Sequence, residues 1–164
     1  DVGDSLFGAC DLTCHHHNHF LAPAFYTSMG FSVPVALGAH CALPNVRSIV
    51  IVGDGAFQMT CMELSTIGRL GYNPIVFVLN NKGYTTERFL LDGPFNDIQD
   101  WNYYKVPEVI GNGKGYLVQT EEEIEVAVAQ ALKNSCLSII QVELDKFDAT
   151  PALRRMTENL SRKV

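Results

Sequence analysis

Two short segments carry residue types suited to gripping a metal-bound anion. Gly53-Asp54-Gly55 ends one apolar run and Asn80-Asn81-Lys82-Gly83 ends the next. Glycines on either side of Asp54 let backbone come close to a ligand and leave amides free to face an anion. A carboxylate and a carboxamide supply hard oxygen ligands, and Mg²⁺ takes one or two of these beside phosphate oxygens and water. Together the segments read as a seat for a Mg²⁺-bound diphosphate. A tight turn after a strand also favours Gly and Asp, so Gly-Asp-Gly alone decides little. Other anion loops fit poorly. Gly53-x-Gly55 runs on to Gln58 where a dinucleotide fingerprint needs Gly or Ala, and Gly113-Lys114-Gly115 lacks the spacing and hydroxyl residue of a P-loop.

The elements that must position these groups are legible as alternating patterns. Residues 48–52 and 75–79 are short, β-branched and unbroken, as strands buried on both faces should be. Ser138–Glu143 is a third strand, expected nearer an edge because Gln141 interrupts it. Between the first two, Thr60 and Glu63 have the spacing of a capping box, with Met59 and Leu64 as a flanking staple and Arg69 and Gly71 as stop signals. Residues 30–42 predict a helix with Pro34 in its first turn, and Glu121–Lys133 predicts another with acids at its start. Residues 82–117 read as a long excursion. Strand–helix alternation of this kind implies an α/β fold, a doubly wound parallel sheet flanked by helices. Ligands in such sheets sit at the carboxyl ends of strands, where Asp54 and Asn81 fall.

Length and charge bound the rest. The 164 residues fit one domain, spanning 1–164. A net charge of −6 argues against nucleic acid, which needs a basic face. Arg154, Arg155, Arg162 and Lys163 cluster at the tail, as on a solvated terminal helix. No apolar run approaches the roughly 18 residues of a membrane helix. Five cysteines without framework spacing point to reduced thiols and a cytoplasmic setting, with Cys41, Cys61 and Cys136 read as small core residues. Entry at Asp1 without Met is expected of a fragment or processed chain. Cys10 and Cys14 beside His15-His16-His17 offer zinc-type ligands, but crowded adjacent ligands rarely close one tetrahedron.

The pairing of Gly-Asp-Gly with Asn-Asn 24 residues later is far more specific than either half. With its flanks it resembles the thiamine-diphosphate (ThDP)-dependent pyruvate, indolepyruvate and phenylpyruvate decarboxylases. The resemblance rests on residues 53–60 (GDGAFQMT), 78–88 (VLNNKGYTTER), 92–98 (DGPFNDI), 3–5 (GDS) and 28–34 (SMGFSVP), and reaches from Asp1 to about Ala149. It implies the cofactor-diphosphate-binding domain of a non-oxidative 2-oxo acid decarboxylase, which releases an aldehyde and CO₂. Carried over by position, it implies that Asp54, Asn81 and the carbonyl of Gly83 bind Mg²⁺. Asp4, Ser28, Gly55, Ala56, Asn81, Tyr84 and Thr85 would surround the diphosphate, and Thr27 would offer its carbonyl to the aminopyrimidine. Met29 matches the bulky residue that supports the bent cofactor, with core filler as the plain alternative.

Glu87 matches the active-site glutamate, and residues 83–91 would form a short helix placing it on the first turn. An ion pair with Arg88 is the alternative use of that carboxylate. Thr86 stands where relatives often carry Ile or Val, and Leu6 where some carry Trp; both lean towards aryl or branched 2-oxo acids. The same resemblance marks what this sequence lacks. The pyrimidine-activating glutamate and a His pair belong to a separate pyrimidine-binding domain, expected from a dimer partner. Middle and pyrimidine-binding domains are absent here, and the His run is no substitute. A catalytically silent cofactor-binding module and a ThDP carboligase remain the alternatives.

Overall fold

The computed structural model describes residues 1–161. Four strands, β1 (Ile49–Gly53), β2 (Ile75–Asn80), β3 (Lys114–Val118) and β4 (Ser138–Glu143), form one parallel sheet in the order β1-β2-β4-β3. The helices are α1 (Asp4–Ala9), α2 (Ser32–Ala42), α3 (Asp54–Thr60), α4 (Glu63–Arg69), α5 (Thr85–Leu90), α6 (Val106–Ile110), α7 (Glu121–Lys133) and α8 (Pro151–Ser161).

Period-two alternation along β2 divides the core. Val76 and Val78 face a cluster with Val33 and Ala36 of α2, Phe57 of α3, and Leu64 and Ile67 of α4. Ile75, Phe77 and Leu79 face the other cluster, with Ala127 and Ala131 of α7. Helices therefore cover both faces, as the unbroken apolar strands require, and the expected α/β class is borne out.

Several local expectations are corrected. The helix after β1 begins at Asp54, not Thr60, and breaks at Cys61 and Met62 before α4. No capping box forms: Thr60 Oγ1 donates to the carbonyl of Gly30 at 2.8 Å, and Met59 is exposed. β4 lies inside the sheet, because Gln141 is satisfied there: its Oε1 accepts the Tyr104 N–H at 3.1 Å and its Nε2 donates to Glu143. The excursion after residue 82 holds α5, α6 and the edge strand β3. Glycine, tyrosine and lysine in β3 gave no apolar run to find, and a Cβ on Gly115 would strike the Tyr104 carbonyl.

Cys41 is exposed rather than a core residue, while Cys61 is buried, and all five cysteines are free. α8 is more than a solvated helix, since Leu153 and Thr157 are buried beneath it; Arg162 and Lys163 lie outside the described residues. Among the described residues no helix is long and apolar enough to cross a membrane. Nor do three or more His, Cys, Asp or Glu side chains gather there to hold a metal, so Cys10, Cys14 and the His run build no zinc site.

Candidate functional site

The carboxyl ends of β1 and β2 open into a cavity of about 410 Å³. β1 delivers Gly53 and runs directly into α3, so Asp54, Gly55 and Ala56 occupy the first helical turn with N–H groups that lack intrahelical acceptors. β2 ends at Asn80, and Asn81–Gly83 then turns sharply, with Lys82 at φ 63° and Gly83 at φ 144°. Only glycine serves at 83: a Cβ would lie 2.0 Å from the Asn96 carbonyl oxygen. Gly55 has a different reason, since a Cβ would fall 2.5 Å from the Tyr84 ring packed over it.

Asp54 is 1% exposed. Its Oδ1 accepts the Gly55 N–H at 2.6 Å and its Oδ2 accepts the Gly83 N–H at 3.0 Å. Burial pushes its carboxyl up to about 6, against the pull of these backbone donors and of Arg88. Asn81 is buried, and its Oδ1 has no hydrogen-bond partner. A buried acceptor without a donor is costly unless something else fills it. Asp54, Asn81 and Gly83 all line the same cavity. The residues present thus fit a divalent cation: one buried carboxylate carrying no cationic partner of its own, and one orphaned amide oxygen.

The remaining candidates gather around this point. Tyr84 precedes α5, and Thr85, Thr86 and Glu87 form its first turn, all lining the cavity. Thr85 Oγ1 is committed to the Lys146 carbonyl at 3.2 Å, leaving its backbone for a ligand. Glu87 is exposed, and no ion pair joins it to Arg88, which pairs with Asp97 at 2.7 Å instead. Asp4 lines the cavity too, but its carboxylate accepts the N–H and hydroxyl of Thr150, just before α8. Thr27 and Met29 line the cavity as well. Ser28 is exposed and is not brought into the wall, so the structure does not place it with the others.

Sequence reasoning missed the residues that hold these in place. Asp1 accepts the N–H groups of Gly30 and Ser32 and the Ser32 hydroxyl, and with Thr60 it pins the loop carrying Thr27 and Met29. Thr27 itself is held at φ 50°, a conformation β-branched residues avoid. Asn80 Nδ2 donates to Asp100 at 3.0 Å and Glu143 at 2.7 Å, joining the ends of β2 and β4. Leu90, Met156 and Leu160 line the cavity beside Leu6, which the sequence itself singles out. An acid at the chain start gives no local signal, and the tail reads as a solvated helix, so the sequence does not single out the i, i+4 pair Met156 and Leu160.

A parallel α/β sheet with acid and amide loops at adjacent strand ends is the architecture of a domain that holds an anionic ligand at its strand ends. Residues 1–142 match the family described as thiamine pyrophosphate enzyme, C-terminal TPP binding domain. The chain belongs to that family. It is 38% identical over 159 residues to pyruvate decarboxylase 2 of Pisum sativum, covering 93% of this chain and 39% of that protein. An alpha-keto-acid decarboxylase of Mycobacterium tuberculosis is 31% identical over 166 positions, covering 98% of this chain and 30% of that one. Among solved structures it is similar to the thiamine diphosphate-dependent 4-hydroxybenzoylformate decarboxylase of Rhodococcus jostii RHA1, with TM-score 0.67 and 26% identity over 74% of this chain and 24% of that one. The family expected from the five motif blocks is therefore borne out. The chain spans well under half the length of these relatives.

Proposed function

We propose that this chain supplies the diphosphate- and Mg²⁺-binding part of a ThDP-dependent, non-oxidative 2-oxo acid decarboxylase. The observation that carries the reading is the buried, unpartnered Asn81 Oδ1 sharing a cavity with buried Asp54 and with Gly83. In this reading Asp54, Asn81 and the Gly83 carbonyl hold Mg²⁺, and free N–H groups in the first turns of α1, α3 and α5, at Asp4, Ala56 and Thr85, face the diphosphate. The Asp4 side chain takes no part, being held by Thr150.

When bound, the cofactor supplies the electron sink that lets a 2-oxo acid lose CO₂. The chain's own residues bind and orient. Met29, half-buried against the core on a pinned loop, would support the bound cofactor, and the Thr27 carbonyl would accept a hydrogen bond from it. Glu87 moves a proton at the reacting centre, which needs a carboxyl at the cavity wall free of an ion pair with Arg88. Leu6, Thr86 and Leu90 leave room for aryl or branched acyl groups.

The site is open on one side: Glu87 is exposed, and Phe25 and Tyr26, beside Thr27, are 89% and 81% exposed. This supports completion by a pyrimidine-binding domain from a dimer partner, and a chain that is silent by itself. Carboligation on the same cofactor is the second enzymatic reading. Calorimetric titration of the folded chain with ThDP, with and without Mg²⁺, is the test. Mg²⁺-dependent heat is expected; a folded chain giving none overturns the proposal. Decarboxylation of 2-oxo acids on adding a pyrimidine-binding domain separates the decarboxylase from the silent module.

A further inference from the structure

Arg88 stands next to Glu87 in α5 but points the other way, and it is 4% exposed. Its guanidinium is engaged almost wholly with main chain. Nη1 donates to the Asn81 carbonyl at 3.0 Å and the Lys146 carbonyl at 3.3 Å. Nη2 donates to the Lys82 carbonyl at 2.7 Å and to Asp97 Oδ1 at 2.7 Å. A buried cation is tolerated only when paired and hydrogen-bonded. Here one carboxylate, itself 59% exposed, and three carbonyl dipoles meet that need at Nη1 and Nη2, while the buried Nε–H has no partner.

Two of those carbonyls belong to the residues just before Gly83. Beyond one isolated antiparallel bridge between Gly83 and Asp97, the stretch has no regular hydrogen-bonding pattern, and Lys82 and Gly83 both hold left-handed backbone. Its N–H side is fixed by Asp54, which takes the Gly83 N–H, and by the Asn96 carbonyl, which takes the Tyr84 N–H at 2.9 Å. Its carbonyl side is fixed by Arg88. The Asn81 amide oxygen has no partner to aim it, so its direction comes through this clamped backbone.

We propose that Arg88 is a positioning residue for the metal loop. It draws the Asn81 and Lys82 carbonyls to its own side, leaving the Asn81 amide oxygen and the Gly83 carbonyl to the cation. Asp97 keeps the guanidinium in register. This rests on the reading of Asn81 and Gly83 as Mg²⁺ ligands, and it adds a fixed link between that loop and the helix bearing Glu87. A planar fork is required, because a lysine ammonium cannot span carbonyls of three residues and a carboxylate in these directions.

Hydrogen exchange and Mg²⁺-ThDP calorimetry on the 164-residue chain and its Arg88→Met, Arg88→Lys and Asp97→Asn variants test this. In R88M, amides of residues 81–84 should exchange faster while those of β2 and β4 stay as protected as before. Its Mg²⁺ affinity should fall about tenfold or more, as for other groups that orient metal ligands. R88K should restore little, and D97N should loosen the same amides less. The exchange arm needs no ligand, so a wild type that fails to bind Mg²⁺-ThDP sinks the cofactor reading while the loop clamp is still judged. Unchanged exchange at residues 81–84 overturns the clamp. So does uniform loosening of the core strands, which marks Arg88 as a general stabiliser. Should R88M not fold, exchange in D97N and R88K decides between clamp and general stabiliser by the same contrast of residues 81–84 with the core strands.

Discussion

Asp54 Oδ2 accepts the Gly83 N–H at 3.0 Å, so the loops ending β1 and β2 are tied together before any ligand arrives. One carboxylate thereby joins two strand ends, and it is a proposed metal ligand. Asp54→Asn keeps the shape but can offer only one acceptor oxygen where two N–H groups now converge. It should lose Mg²⁺-dependent ThDP binding by at least about tenfold, the lower range for disturbing a metal site. Calorimetry checks this, and undiminished Mg²⁺-dependent heat would remove Asp54 from the site.

Stability should respond to pH from two buried groups of opposite sign. His40, in the last turn of α2, is 1% exposed, stacked on Tyr72 at 5.0 Å, and neither ring nitrogen has a partner. Burial and then the Arg47 charge hold its pKa below 6.5. The unfolded chain takes up a proton first as pH falls through about 6.5, so the fold loses stability on the acid side. Asp54 works the other way. With its folded pKa raised from 3.8 to about 6, the stability it gives metal-free protein is present below 3.8 and lost as pH rises through 6. His40→Phe isolates the first effect. Its melting temperature relative to wild type should rise as the pH falls from about 7.5 to about 5.5, through the pKa of about 6.5 of an unfolded histidine. A difference that does not vary with pH would clear His40 of any part in acid sensitivity.

How far the sequence carried can be seen at particular residues. β1 and β2 were legible because strands buried on both faces must be continuous runs of β-branched residues, and the site was legible because its loops carry polar types such runs exclude. The start of α3 was not. Thr60 and Glu63 have capping-box spacing, but the Gly30 carbonyl competes for Thr60, and tertiary contact wins over local pattern. Gln141 misled for a related reason: polarity suggests an edge, whereas a buried glutamine with partners on Tyr104 and Glu143 sits inside the sheet. Arg88 was legible only as an alternative partner for Glu87, and Asp1 escaped, since most of their partners are main-chain groups that no side-chain pattern announces.

Glu87 separates binding from chemistry. It lies on the wall of the cavity but is neither among the proposed metal ligands nor tied to Arg88. In an enzyme completed by its pyrimidine-binding domain, Glu87→Gln should lower turnover about a hundredfold or more, the range for removing a general acid–base. ThDP affinity should stay within about twofold, well under the tenfold that 1.4 kcal/mol represents. Steady-state kinetics beside calorimetry distinguishes the cases. Parallel loss of both would make Glu87 a binding residue, and loss of neither would leave it a surface carboxylate.

Thr150 connects α1 to α8, two helices that both line the cavity. Its N–H and hydroxyl both go to the Asp4 carboxylate of α1, and its Oγ1 accepts the Leu153 N–H, capping α8. Buried Leu153 and Thr157 then seat α8, and Arg154 lies over the Phe89 ring of α5 at 5.3 Å. In that seating Met156 and Leu160 line the cavity. Thr150→Val removes the hydroxyl from both the Asp4 bond and the cap, at a cost of about 1 kcal/mol. That is small against the stability of the sheet, so the effect should be local. α8 should become the first site cut in limited proteolysis while the melting temperature falls by only a few degrees. Thr150→Ser keeps the hydroxyl and should behave as wild type. Equal protease resistance in all three proteins would show that the buried Leu153 and Thr157 hold α8 unaided, and that Asp4 and Thr150 merely touch.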